Sequence, residues 1–169
     1  CLKQAAKEAD LILTCGGVSV GDFDFITSIV GKEGTLDFWK VAIKPGKPLV
    51  YGRIFDVPIL GLPGNPVSSF VTFELFARPA ILKLSGSTSH FEPQTQAKLT
   101  HPVQLNKTRE QFIRATITSN QDGYFITATT KQGSGQLSSM VNINALARIP
   151  TGEGMLNSGT VVTAIYLPK

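Results

Sequence analysis

The chain has 169 residues, 42% hydrophobic and 17% charged, with a formal charge of +4, which is the composition of a globular protein of one ordinary or two small domains. No apolar run approaches the roughly 20 residues of a membrane helix, no charged-then-apolar leader opens the chain, and the scattered cations carry no zinc-finger, RRM or helix-turn-helix pattern, so neither a membrane nor a nucleic acid is expected as partner. The mild basic excess suits an anionic small molecule, and two cysteines, Cys1 and Cys15, give no disulfide framework or zinc spacing, which points to the cytoplasm.

Leu2 to Ala9 is rich in helix formers, and because the chain opens within it, residues upstream are expected to be absent. Leu11 to Thr14 has the uniform apolarity of a buried parallel strand. Cys15 at its end is expected to be small and at least half buried. A loop follows, Gly16-Gly17-Val18-Ser19-Val20-Gly21, and Asp22 can cap a helix running to about Lys32. Strand, glycine loop and helix are the parts of a doubly wound sheet, whose ligands lie beyond the strand C-termini. The loop is neither a Rossmann fingerprint nor a P-loop.

Leu36 to Ile43 alternates in part and reads as one strand. Lys40 near its end and Lys44 just beyond it would share a face, roughly 13 Å apart if the segment is extended. The stretch from Phe38 to Ser69 organises the chain: two strand-like runs, Leu49 to Tyr51 and Val57 to Leu60, each bounded by Gly-Pro loops. The first loop sets Lys44 and Lys47 around Pro45-Gly46; the second, Pro63-Gly64-Asn65-Pro66, feeds a helix with Asn65 as cap and Pro66 in its first turn. A glycine turn at a helix N-terminus offers N–H groups to an anion, although such loops also simply connect strands and lysines also simply solvate a surface.

Val67 to Leu84 reads as a long helix that Pro79 should kink or split. Ser87 to Gln96 is a polar linker. Short strands follow at Ala97–Leu99, Phe112–Thr118, Tyr124–Thr129, Ala145–Ile149 and Thr160–Leu167, with a hairpin turn over 119–123, as in a compact β-barrel. His90 and His101 have no metal-like partner and receive no role.

LTCGGVSVGDFDF, KPGKP and GLPGNPVSSFVTFEL, in that order, resemble the C-terminal part of the molybdopterin molybdenumtransferases, the MoeA family, and of the gephyrin E domain. The resemblance implies an α/β plus all-β fold. Residues 1–88 would be the C-terminal half of a molybdopterin-binding α/β domain, and residues 89–169 a small C-terminal barrel-like domain. It implies a catalytic, metal-binding Asp24, two residues beyond Asp22, and makes Lys40 and Lys44 the lysines that hold anionic substrates. Substrate contacts are implied for Gly16, Gly17, Ser19, Gly21, Asp22, Pro45, Gly46, Lys47, Pro63, Gly64, Asn65 and Pro66. In the barrel, Arg114 and Ser134 of the Gln132-Gly133-Ser134 stretch are added.

The implied reaction inserts molybdate into adenylylated molybdopterin with release of AMP, assisted by Mg2+. The implied partners are a second copy in a homodimer and the molybdopterin adenylyltransferase. The family's Thr/Ser-Gly-Asp-Glu motif and N-terminal domains are not in the sequence, so these residues alone are expected to be inactive. A non-catalytic molybdopterin-binding scaffold is the alternative.

Overall fold

The apolar run after Asp10 forms strand β1 (Ile12–Cys15), preceded by helix α1 (Leu2–Glu8) and followed by α2 (Phe25–Glu33), β2 (Gly34–Lys40) and a two-residue strand, β3 (Ile43–Lys44). This computed structural model describes residues 2–18, 25–130, 132–133 and 135–168. They gather into two units, Cys1–Val41 with Gly46–His90, and Ala42–Pro45 with Phe91–Lys169. The α/β class and the terminal barrel expected from sequence are both present.

In the first unit, β4 (Pro48–Ile54) and β5 (Val57–Leu62) complete a four-stranded sheet of order β1-β5-β4-β2. Only β1 and β5 run parallel, in register from Ile12 with Ile59 to Cys15 with Leu62. β4 is antiparallel to both β5 and β2, since the two-residue turn Phe55-Asp56 makes β4–β5 a hairpin. Both turn residues lie in the left-handed region, at φ 48° and 68°, as a primed hairpin turn requires. Ile12, Val30, Ile54 and Ile59 form the core, with Leu2, Ala5, Ile26 and Ile29 packed on it.

The strand expected from Leu36 to Ile43 breaks after Lys40. β2 pairs with β4 up to Lys40 opposite Pro48, with register shifts on either side of Phe38. Ile43 and Lys44 pair instead with Glu110 and Gln111, in the second unit. The helix expected from Val67 to Leu84 is there in three parts: α3 (Pro66–Thr72), a wider π turn at Phe73–Ala77, and α4 (Arg78–Leu84). Pro79 has no N–H to donate into the preceding turn, and the Arg78 N–H reaches five residues back to the Phe73 carbonyl. Glu74, almost wholly buried on this turn, accepts two bonds from the Arg78 guanidinium, at 2.6 and 3.2 Å.

The second unit contains β6 (Gln94–Leu99), β7 (Val103–Gln104), β8 (Glu110–Asn120), β9 (Gly123–Ala128), β10 (Ala145–Ile149), β11 (Met155–Leu156) and β12 (Val161–Tyr166). The sheet order β10-β12-β6-β9-β8 closes on itself through β8–β10, so these five strands form a barrel. β8 is long enough, at 11 residues, to pair with β9 at one end and β10 at the other. The barrel is filled by Leu99, Ile113, Ile117, Ile126, Ile149 and Val162 with alanines between them. β7 and β11 add a small separate ribbon.

Candidate functional site

In the first unit, the parallel strands β1 and β5 end side by side, and the chain leaves each through a glycine loop. The Gly16 N–H donates to the Leu62 carbonyl at 2.9 Å, tying the first loop to the end of β5. Gly16 and Gly17 have φ of 87° and 69°, which glycine adopts without strain. A Cβ built on Gly64 would stand 3.3 Å from the Gly16 Cα, so the loops meet backbone to backbone. Between them lies a cavity of about 230 Å³, lined by Gly16, Gly17, Val18, Pro48, Pro63, Gly64, Asn65 and Ser68. It sits beyond the carboxyl ends of parallel strands, where open α/β sheets bind ligands. Its volume lies below the roughly 300–1,000 Å³ of pockets that engulf a whole drug-sized ligand, so it fits one group of a larger molecule.

Asn65 does cap α3: its side-chain oxygen accepts the N–H groups of Val67 and Ser68 at 3.1 and 3.2 Å, and its carbonyl accepts that of Ser69. Pro66 has no N–H. The first-turn donors that sequence reasoning offered to an anion are therefore already engaged by Asn65. The cations nearest in strand and sequence to the lining are lysines. Lys40 is exposed and pairs in register with Pro48 on the cavity wall; exposed Lys47 directly precedes Pro48. Gly46 is buried at φ 109°, and the Val41 N–H donates to the Lys47 carbonyl at 3.0 Å, closing the loop.

The structure thus brings Gly16, Gly17, Pro63, Gly64 and Asn65 around one cavity; Lys40 and Lys47 are not in its lining but adjoin Pro48, which is, by strand pairing and by sequence. Lys44 and Pro45 are not on one extended segment with Lys40; they belong to the second unit. Ser19, Gly21, Asp22, Asp24 and Ser134 lie outside the described residues. Cys15 is exposed rather than buried, its Sγ 3.8 Å from the Ser69 hydroxyl, because β1 pairs with β5 alone among the described strands. Val18, Pro48 and Ser68 line the cavity without having been singled out. Pro48 ends the KPGKP run that was, and Ser68 sits one turn into the helix that Asn65 announces.

Arg114, expected to meet substrate, lies mid-strand in β8 with 1% exposure. Its guanidinium donates to Ser139 Oγ at 3.1 Å and to the Gly133 carbonyl at 3.3 Å. Gln132 exchanges bonds with the Arg114 backbone on both its N–H and its carbonyl. Burial pushes the guanidinium pKa down from its ordinary value by desolvation. Arg114 holds the 132–139 loop. For Mg2+, the described cavity lining offers no carboxylate, and no cluster of three metal-ligating side chains occurs among the described residues. The described residues thus supply no ligand set for the ion, and Asp24, the acid expected to bind it, lies outside them.

Two family models match the chain. Residues 1–83 match the probable molybdopterin binding domain, and residues 96–167 match the MoeA C-terminal region, domain IV. The molybdopterin molybdenumtransferase of Haemophilus influenzae is 37% identical over 94% of this chain and 40% of its own length. Gephyrin of Dictyostelium discoideum is 35% identical over 98% of this chain and 26% of its own. Among solved structures, the molybdopterin biosynthesis MoeA protein of Pyrococcus horikosii superposes with a TM-score of 0.77 at 27% identity, covering 98% of this chain and 39% of that one. The two matches define an α/β segment of the probable molybdopterin binding domain family followed by a MoeA-type barrel. The chain belongs to the MoeA family, and it spans about 40% of the molybdenumtransferase relatives it matches.

Proposed function

We propose that this chain is the part of a molybdopterin molybdenumtransferase that binds the anionic end of adenylylated molybdopterin, in a protein that inserts molybdate and releases AMP. The observation that carries this is the cavity between the two glycine loops, inside the stretch matched by the molybdopterin-binding family. Its glycine loops expose backbone, and Lys40 and Lys47 adjoin Pro48 of its lining, which favours an anion that approaches closely. Lys44, Pro45 and Ser134 are assigned to the same substrate, as is Arg114 through the loop it holds. Catalysis here is chiefly positioning and charge stabilisation.

Asp24 is the acid we assign to the chemistry and to magnesium. The whole protein works in the cytoplasm as a homodimer and receives its substrate by contact with the molybdopterin adenylyltransferase. The test is molybdate-dependent AMP release by a protein of the relatives' full length that carries these residues. Asp24→Asn is expected to abolish release while leaving the fold intact. Lys40→Ala and Lys44→Ala are each expected to weaken AMP binding by about ten- to a hundredfold. Ligand binding without any molybdate-dependent AMP release would make the protein a scaffold.

A further inference from the structure

The exposed Lys40 ammonium has a contact with the residue that precedes it. Its Nζ lies 3.5 Å from the centre of the Trp39 ring, well within cation–π range. Consecutive strand residues normally point to opposite faces. Here the pairing of β2 with β4 slips between Phe38 and Lys40, leaving Trp39 out of register, 42% exposed and beside the residue that follows it. The same slip sets Lys40 opposite Pro48, the cavity-wall residue.

We infer that Trp39 is a positioning residue for anion binding: its indole backs the Lys40 ammonium so that the lysine meets the ligand already ordered. An ammonium has three N–H donors, and a ring face takes up one side of it, leaving donors for oxyanion oxygens on the other. A lysine ordered in advance loses less side-chain freedom when the anion arrives. The inference rests on the proposed site, and it adds a specificity: small oxyanions are favoured, because the backed ammonium presents a single direction of approach.

Trp39 is the sole tryptophan of the chain, so it gives one indole N–H resonance in NMR. The probes are inorganic molybdate and AMP, titrated into the 169-residue chain by calorimetry and by NMR in parallel. The indole resonance is expected to move saturably, with the calorimetric midpoint. Lys40→Met should abolish that movement with the indole intact. Trp39→Leu should raise the Kd about two- to fivefold, and Trp39→Phe, which keeps a ring, should restore at least half of the loss. Binding by the parent chain with an unmoved indole, or equal Kd for Trp39→Leu and Trp39→Phe, overturns the role of Trp39 and leaves the site standing. No binding of either probe overturns both.

Discussion

In the first unit the loops that shape the cavity are held by main chain. Gly16 donates to Leu62, Gly64 lies against Gly16, and Asn65 gathers the first N–H groups of α3. In the second unit the 132–139 loop is held by side chains, the Arg114 guanidinium and the Gln132 amide reaching across to backbone and hydroxyl oxygens. The difference follows from what surrounds each loop. Where Gly16 and Gly64 face each other there are no side chains to tie the two loops, so backbone contacts do it. A closed barrel has no free sheet edge to pin a loop to, so a buried polar side chain does it. Each construction has its own weak points: added Cβ atoms and a lost cap in the first, truncation of one arginine in the second.

The largest effect expected is from Arg114→Leu. It leaves Ser139 Oγ and the Gly133 carbonyl without their charged donor, at a cost of about 3 kcal/mol. Hydrogen exchange should show the loss in the amides of β8 and β10 and leave those of β1 and β5 unchanged. Exchange that rises equally in both units would mean that Arg114 does not act on the barrel alone. Gly16→Ala comes next. Its φ of 87° places a Cβ in the left-handed region, which costs about 1–2 kcal/mol, read as a lower denaturation midpoint of the first unit, with AMP affinity falling alongside. An unchanged midpoint would mean that the loop relaxes freely and is not held by backbone contact. Smallest is Asn65→Ala, at about 1 kcal/mol for a lost N-cap. This variant also frees the Val67 and Ser68 N–H groups, so molybdate affinity should hold or improve while stability drops. A clear fall in molybdate affinity would show that the Asn65 side chain itself touches the ion.

What the sequence disclosed and what it hid divides along the range of the interactions. Asn65-Pro66, the paired glycine loops and the strands of the barrel are written in local chemistry: caps, breakers and alternation. The break after Lys40 is not, because Ile43 and Lys44 leave to pair with Glu110 and Gln111, far along the chain, while nothing in FWKVAIK marks a stop. The hairpin turn at Phe55-Asp56 carries neither Gly nor Asn, the usual signs of its left-handed geometry. Nothing on its own strand marks Arg114, expected to meet substrate, as a buried residue. Barrel closure, with β9 on one side of β8 and β10 on the other, is what buried it. Pro79 was legible as an interruption, but a π turn that keeps the helix continuous was not, since the choice depends on where Glu74 and Arg78 can pair.

Residues 42–45 also bear on how this chain can be divided. They are counted with the barrel although the chain on either side of them belongs to the sheet unit. A gene cut in the polar stretch near His90 looks like a clean separation of modules. It would nonetheless deprive the downstream piece of the strand that pairs with Glu110 and Gln111, and leave the upstream piece with Ile43, only 8% exposed here, uncovered. Expressed apart, neither half would be self-sufficient, whereas supplying the short Val41–Lys47 peptide in trans should partly rescue the downstream piece. For shuffling by recombination, the two units form one heritable block despite their separate cores.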